Sequence, residues 1–430
     1  MDRRVVVTGM EMITPLGIGM DTTWEGLKAG KSGVGRITSF DCASFHTQIA
    51  GEIKNFDFDE LWHDKNHEFR YLGKHSQFAL VTAKMALENA GIDLESINRR
   101  RMGVYLGSGE GEFDFDGFVR DIMESWDGDR VDINKFLQVG MNVLNPIREF
   151  EHDSNRPSVH ISNSFGVYGP NSNCLTACAA SSQAIGEAWW TIKRGNADIM
   201  VTGGSHSMIH PLGVVGFNLL TALSTQNDIP QQASKPFDIK RDGFVLGEGA
   251  GILILEDLEH ALKRGAKILG EIIGYGTSAD AYRITDAHPD GRGAIAAMNM
   301  AIETAGIAVE DINYINAHGT STNVNDTVET SAIKQVFGDY AYKVPVSSIK
   351  SMLGHLIAAA GAVELITCML AMRDSIIPPT INYQDPDPQC DLDYVPNTSR
   401  NQKVDIALSN SFGFGGQNVA LIVRKYENGN

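Results

Sequence analysis

Three residues in this chain carry side chains suited to acyl-transfer chemistry, and each sits where an apolar run gives way to a new element. Cys178 lies in Thr-Ala-Cys-Ala-Ala-Ser-Ser, directly before an Ala-rich helical run ending in Lys193, Arg194 and Gly195. A thiol opening a helix meets the positive end of the helix dipole and unpaired N–H groups, which favour thiolate over thiol and can hold a developing oxyanion. A small buried packing cysteine fits the same spacing, and Cys174, in an expected strand, reads that way. His318 lies in Asn-Ala-His-Gly-Thr-Ser-Thr, after an apolar strand and before a helix that Asp326 and Glu329 would open as a capping box. Carboxyl ends of strands are where α/β sheets place ligands, although a hydrogen-bonded loop histidine fits equally well. His355 follows Lys350-Ser-Met-Leu-Gly, again where a strand hands over to a long small-residue helix.

A fourth motif, Ser411-Phe412-Gly413-Phe414-Gly415-Gly416, falls between the apolar runs Val404 to Leu408 and Asn418 to Val423. Its glycines let backbone approach a ligand while the phenylalanines wall it; a plain hairpin turn is the alternative. Gly107-Ser108-Gly109 lacks the further glycine and acidic residue of a dinucleotide fingerprint, so NAD binding is rejected. The five cysteines, Cys42, Cys174, Cys178, Cys368 and Cys390, show neither metal-ligand spacing nor an even disulfide set. No metal is expected.

These motifs need a scaffold of alternating strands and helices, and the sequence repeats one such unit. Ala86 to Asn98 and Ala301 to Asn313 agree at eight of thirteen positions. In each, a helical run ends at Ala-Gly and an acidic turn leads into an apolar strand, Met102 to Leu106 or Tyr314 to Ala317. Further strands are expected at Val5 to Thr8, Ile199 to Thr202 and Gly251 to Leu255, and helices at Cys178 to Arg194 and Gly354 to Arg373. The alternation predicts mostly parallel sheets covered on both faces, in halves 1–266 and 267–430. Residues 110–150 break the rhythm: Phe113, Phe115, Phe118 and Trp126 are scattered among acidic residues, as in a lid or interface insertion, or in a surface helix pair with its aromatic residues turned inward.

Composition narrows the setting. The 430 residues are 43% hydrophobic and 21% charged, enough to bury a large core. A net charge of −17 disfavours nucleic acid, whose binding rests on Lys and Arg neutralising phosphates. Leu356 to Met372 is interrupted by Glu364, and the N-terminal apolar run is too short for a signal peptide. No membrane span and a cytoplasmic location are therefore expected.

Taken in order, Val5-Val-Val-Thr-Gly9, Gly243-Phe-Val-Leu-Gly-Glu-Gly-Ala-Gly251, His318-Gly-Thr-Ser-Thr322, Gly354-His355 and Asn410-Ser-Phe-Gly-Phe-Gly-Gly416 resemble the β-ketoacyl-acyl carrier protein synthases, synthase II branch of the thiolase superfamily, along nearly the whole chain. The resemblance implies a thiolase-like five-layered αβαβα fold of two duplicated halves. It implies decarboxylative Claisen condensation of an acyl-enzyme thioester with a malonyl thioester. Cys178 would carry the acyl group, and His318 and His355 would stabilise the enolate. Lys350 would support the His355 region. The backbone N–H groups of Cys178 and Phe414 would form an oxyanion hole, with Phe414 as gate and Phe412 beside the substrate. Thr320 and Thr322 match positions that contact phosphopantetheine. An acyl carrier protein partner, a homodimer (a heterodimer being the alternative) and no dissociable cofactor follow from the same resemblance.

The chain departs from the family pattern at several points. Ala179-Ala180 replaces the usual Thr-Ser, and Asn323 and Asn325 replace Pro and Gly. Leu219-Leu-Thr-Ala-Leu-Ser-Thr225 lacks the arginine expected before Ala-Leu-Ser-Thr, and only Arg70 and Lys74 remain of a basic cluster near 68–74. A specialised polyketide or lipid ketosynthase, a non-catalytic chain-length-determining partner, and a Cys-His hydrolase are the rival readings.

Overall fold

The computed structural model describes residues 3–63, 69, 71–111 and 114–427; Arg70 and Phe113 lie outside them. The dominant feature is one sheet built from two matching halves. Its strands run in the order Val346–Ser347, Tyr314–Asn316, Ile406–Phe412, Gln417–Arg424, Gly270–Ala279, Val5–Thr14, Gly249–Asp257, Ile199–His206, Met102–Ser108, Asn171–Cys174. Read outward from the centre, the two flanks repeat one another. Met102–Ser108 pairs in parallel with both of its neighbours, and so does Tyr314–Asn316. The flanks meet where Val5, Val6 and Val7 pair with Ile272, Glu271 and Gly270.

The sheet is mixed, correcting the expectation of mostly parallel pairing. Gly249–Asp257 runs antiparallel to both neighbours, and Ile406–Phe412 turns back directly into Gln417–Arg424. Such a hairpin needs no crossover helix, and an alternating strand and helix count does not register it.

The repeated sequence unit folds twice in the same way. The helix Lys74–Asn89 ends before Gly91 at φ +59°, and Arg292–Ala305 ends on Gly306 at φ +64°, left-handed conformations that glycine adopts without strain. The first helix packs on the strands Val5–Thr14 and Gly249–Asp257, the second on Gly270–Ala279 and Gln417–Arg424. Between the half-sheets lie Ala180–Lys193 and Ala360–Asp374, giving the order helix, sheet, helix, sheet, helix. All of Ala360–Asp374 except its last two residues is buried. Its small residues permit that closeness: a side chain on Gly361 would come within 2.0 Å of Ser182 Oγ.

The described residues of 110–150 fold mainly into a surface helix pair, Phe115–Ser125 and Ile133–Val143, capped by Asp114 and Asp132. Phe118 meets Phe136 edge-on at 6.4 Å, while Trp126, Leu137 and Met141 point to solvent. No helix among the described residues is long and apolar enough to cross a membrane.

Candidate active site

Two turns of unusual backbone bring the chemistry together, and they are counterparts in the two halves. After Asn171–Cys174, Ala177 adopts φ +46° and a 3₁₀ turn, Ala177–Ala179, leads into Ala180–Lys193. After Val346–Ser347, Ile357 adopts the same φ and the 3₁₀ turn Ile357–Ala359 leads into Ala360–Asp374. Positive φ at a residue with a side chain costs about 1–3 kcal/mol and persists only where packing enforces it. The consequence at the first turn is that Cys178 stands at the floor of a cavity rather than inside a regular helix. At the second, His355 is held two residues before the strained position. Helices expected from Cys178 and from Gly354 therefore begin later, at Ala180 and Ala360.

Cys178 Sγ and one nitrogen each of His318 and His355 lie within 4.8 Å of one another, and all three residues are buried. The imidazole centroids are 5.4 Å apart, edge to face. Phe412 packs at 5.7 Å from His318 and Phe244 at 5.4 Å from His355, so aromatic walls fix both rings.

The partners of each ring assign its tautomer. His355 Nδ1 accepts from the Ile357 N–H at 3.2 Å, which leaves the proton on Nε2, an atom with no protein partner among the described residues. His318 Nδ1 faces the Lys350 ammonium at 3.4 Å; an ammonium only donates, so here too the proton sits on Nε2. Burial, then the nearby Lys350 charge, holds both imidazoles well below the usual histidine range. Two neutral N–H donors result.

Lys350, expected to support the His355 region, has its ammonium on His318 and on Glu364, with which it forms a buried ion pair. Its charge reaches His355 only through space.

Burial pushes the Cys178 thiol up to about 11, against the pull of Lys350 and of the Phe414 and Cys178 backbone N–H groups. The expectation that the helix start favours thiolate is thus reversed, because removing a sulfur anion from water outweighs a partial helix charge. The same two N–H groups face the sulfur and so stand beside the carbonyl oxygen of an acyl group attached to it, where an oxyanion would form. Gly413 makes this possible: a side chain there would meet the Thr176 carbonyl at 2.8 Å and the Cys178 nitrogen at 3.4 Å. The Phe-Gly motif is a hairpin turn, and its tip reaches the nucleophile.

His318 is anchored from behind by Glu329, whose oxygens accept from the His318 and Gly319 N–H groups at 2.8 Å each and from Asn410 Nδ2 at 3.2 Å. Burial raises this carboxyl to about 7. The capping box expected of Asp326 and Glu329 is not formed. Thr322 caps Asn323–Phe337 through the Asn325 N–H, and Asp326 turns inward to the Phe237 N–H at 2.8 Å. A hydroxyl already at the cap position frees both carboxylates for the interior.

The cavity is about 320 Å³ and runs from the three reactive groups to the surface past Phe412, Phe414, Thr320 and Thr322. The two threonine hydroxyls bond each other at 2.9 Å. No described residue of 110–150 lines it. Three atoms at this spacing could also meet a metal ion, but an ammonium 3.4 Å from His318 Nδ1 opposes further positive charge. Glu329 and Glu364 are site residues that motif reading passed over. Glu364 left one signal, the single charged residue in the run Leu356 to Met372, which must find a partner once buried.

The sequence matches the beta-ketoacyl synthase N-terminal domain over residues 2–261 and its C-terminal domain over residues 269–384. It is 44% identical to 3-oxoacyl-[acyl-carrier-protein] synthase 2 of Synechocystis sp., covering 99% of both chains. It is also 44% identical to the protein of that name from Coxiella burnetii, over 98% of this chain and 99% of that one. Among solved structures, it superposes on a type II polyketide synthase ketosynthase in complex with its acyl-carrier protein, with TM-score 0.87, 36% identity and coverage of 99% and 100%. A beta-ketoacyl synthase from Burkholderia phymatum gives 0.86, 35%, and the same coverage.

Proposed function

The chain belongs to the beta-ketoacyl synthase family, and from that premise we propose that Cys178 carries the acyl group while His318 and His355 drive decarboxylation of the extender. The chain is an acyltransferase, a 3-oxoacyl-[acyl-carrier-protein] synthase that extends an acyl chain by decarboxylative condensation with a malonyl thioester. The observation that carries the residue assignment is the convergence of the Cys178 sulfur and one nitrogen each of His318 and His355 within 4.8 Å at the cavity floor.

The reaction follows from that geometry. Cys178 sulfur attacks the acyl thioester carbonyl; the oxyanion is held by the Cys178 and Phe414 N–H groups. Collapse expels the pantetheine sulfur, which leaves with the thiol proton. A malonyl thioester then places its carbonyl oxygen against the two imidazole N–H groups. Loss of carbon dioxide leaves an enolate whose charge these neutral donors stabilise without a metal. Its carbon attacks the acyl-Cys178 carbonyl, the acyl–sulfur bond breaks to release the Cys178 thiolate, which takes a proton from solvent, and the 3-oxoacyl product departs on the incoming pantetheine. Phe414, at the hairpin tip, gates the two half-reactions, and Thr320 and Thr322 hold the pantetheine arm.

The substrate arrives on the phosphopantetheine of an acyl carrier protein, no dissociable cofactor takes part, and the enzyme works as a homodimer. The presence of both histidines and of the nucleophile favours this over a chain-length-determining partner. We place the border between halves at 266/267, between the two matched domains.

Intact mass after incubation with a panel of acyl thioesters tests the assignment. One acyl adduct, absent from Cys178→Ser, is expected; an adduct persisting in that variant would overturn it.

A further inference from the structure

The cavity mouth carries a surface whose chemistry is unlike that of a charge-steered docking site. From Ser207 to Asn227 the sequence contains no Lys, Arg, Asp or Glu. Its helix, Pro211–Leu219, leads straight into Leu220, Thr221 and Ala222, which line the mouth. Leu219 is 79% exposed and Leu220 47%, with Leu212 and Val215 also turned to solvent. Across the opening, Val324 lines the mouth and is 45% exposed. Ile284, 82% exposed, is tied by its carbonyl to the Gly415 N–H at 2.6 Å, next to Phe414. Single exposed aliphatic residues mean little, but Leu220 and Val324 at the entrance, with exposed aliphatic residues on the adjoining helix and beside the Phe-Gly hairpin, make an apolar contact surface.

The charges at this rim are acidic or already spent. Asp242, Asp280 and Asp286 line the mouth, and no lysine or arginine does among the described residues. The nearest cations in sequence are committed to carboxylates of this chain: Lys240 to Asp385, Arg241 to Asp387 and Asp326, Arg283 to Asp286. A strongly acidic partner would meet no lysine or arginine lining this mouth among the described residues and would face these carboxylates as well as the net charge of −17.

We propose that the phosphopantetheine-bearing carrier docks on this rim by apolar contact, through a carrier face that is uncharged or basic beside its phosphopantetheine serine. This rests on the condensing function proposed above, since only a carrier-borne thioester must bring a protein to this opening. Leu219 and Leu220 would then sit under the carrier, and association would owe little to long-range attraction.

The test uses the full chain and an acidic fatty-acid-type acyl carrier protein charged with one acyl group. A second version has the carboxylates around its phosphopantetheine serine changed to amides, and the N-acetylcysteamine thioester of the same acyl group serves as a carrier-free substrate. Acylation of Cys178 is read by mass. The amide version is expected to acylate the enzyme at least as fast as the acidic one, with a rate changing less than about threefold between roughly 0.05 and 0.5 M salt. Leu219→Asp is expected to lower the ratio of carrier-borne to N-acetylcysteamine rates at least tenfold. A tenfold loss with the amide carrier, or an unchanged ratio in Leu219→Asp, would overturn the docking proposal. Absence of any adduct from N-acetylcysteamine thioester or either carrier would instead refute the condensing function, and the docking proposal with it.

Discussion

Cys178 is set for reaction by position rather than by standing charge. Its thiol is pushed up to about 11 by burial, so only a small fraction is ionised near neutrality. Alkylation by iodoacetamide, followed by mass, is therefore expected to accelerate about tenfold per pH unit between 7 and 10. A plateau near pH 8 would reveal a preformed thiolate. Cys178→Ala should abolish condensation and shift unfolding by only about 1 kcal/mol, since a small apolar side chain fills the same buried turn. Activity and thermal unfolding measured on one preparation check both halves. At the hairpin tip, Phe414→Ala is expected to slow acyl transfer more than malonyl decarboxylation; equal slowing in separate half-reaction assays would remove its gating role.

At the scale of elements, the buried helix Ala360–Asp374 depends on one ion pair. Lys350→Met leaves Glu364 buried with no counter-charge and should cost about 3–5 kcal/mol, read from the urea unfolding midpoint. Adding Glu364→Leu should restore most of that loss without restoring activity, because His318 Nδ1 would still lack its donor. An additive loss in the double variant would show that the pair is not the cause. This scale also marks how far the sequence was legible. The repeated Ala-Gly helix ends, the strands behind Cys178 and His318, and the Phe-Gly hairpin follow from local periodicity and turn chemistry. The roles of Lys350 and Glu329 do not, since they depend on which buried charges meet after the half-sheets close. The reversed thiol equilibrium has the same origin: helix position is written locally, whereas burial is a property of the whole fold.

For the whole molecule, the helix pair on residues 115–143 and the short helix Pro146–Phe150 leave Met123, Trp126, Leu137, Met141 and Phe150 each more than half exposed, the last three lining an apolar groove of about 650 Å³. Exposed apolar area of this extent is costly in a free chain. The proposed homodimer would cover it. Sedimentation is expected to give twice the chain mass, and Leu137→Asp with Met141→Asp to shift the population toward single chains. An unchanged dimer would place the contact elsewhere.

The joint between the half-sheets has a consequence in time. Val5–Thr14 borders Gly249–Asp257 on one side and Gly270–Ala279 on the other, yet it leaves the ribosome well before either of them. At about 5–20 residues per second, its partners follow roughly 10–50 s later. Throughout that interval Val-Val-Val-Thr-Gly-Met-Glu-Met-Ile-Thr is a nascent strand with both edges unpaired and open to pairing with other chains, and only its pairing with Gly270–Ala279 joins the two halves of the chain into one molecule.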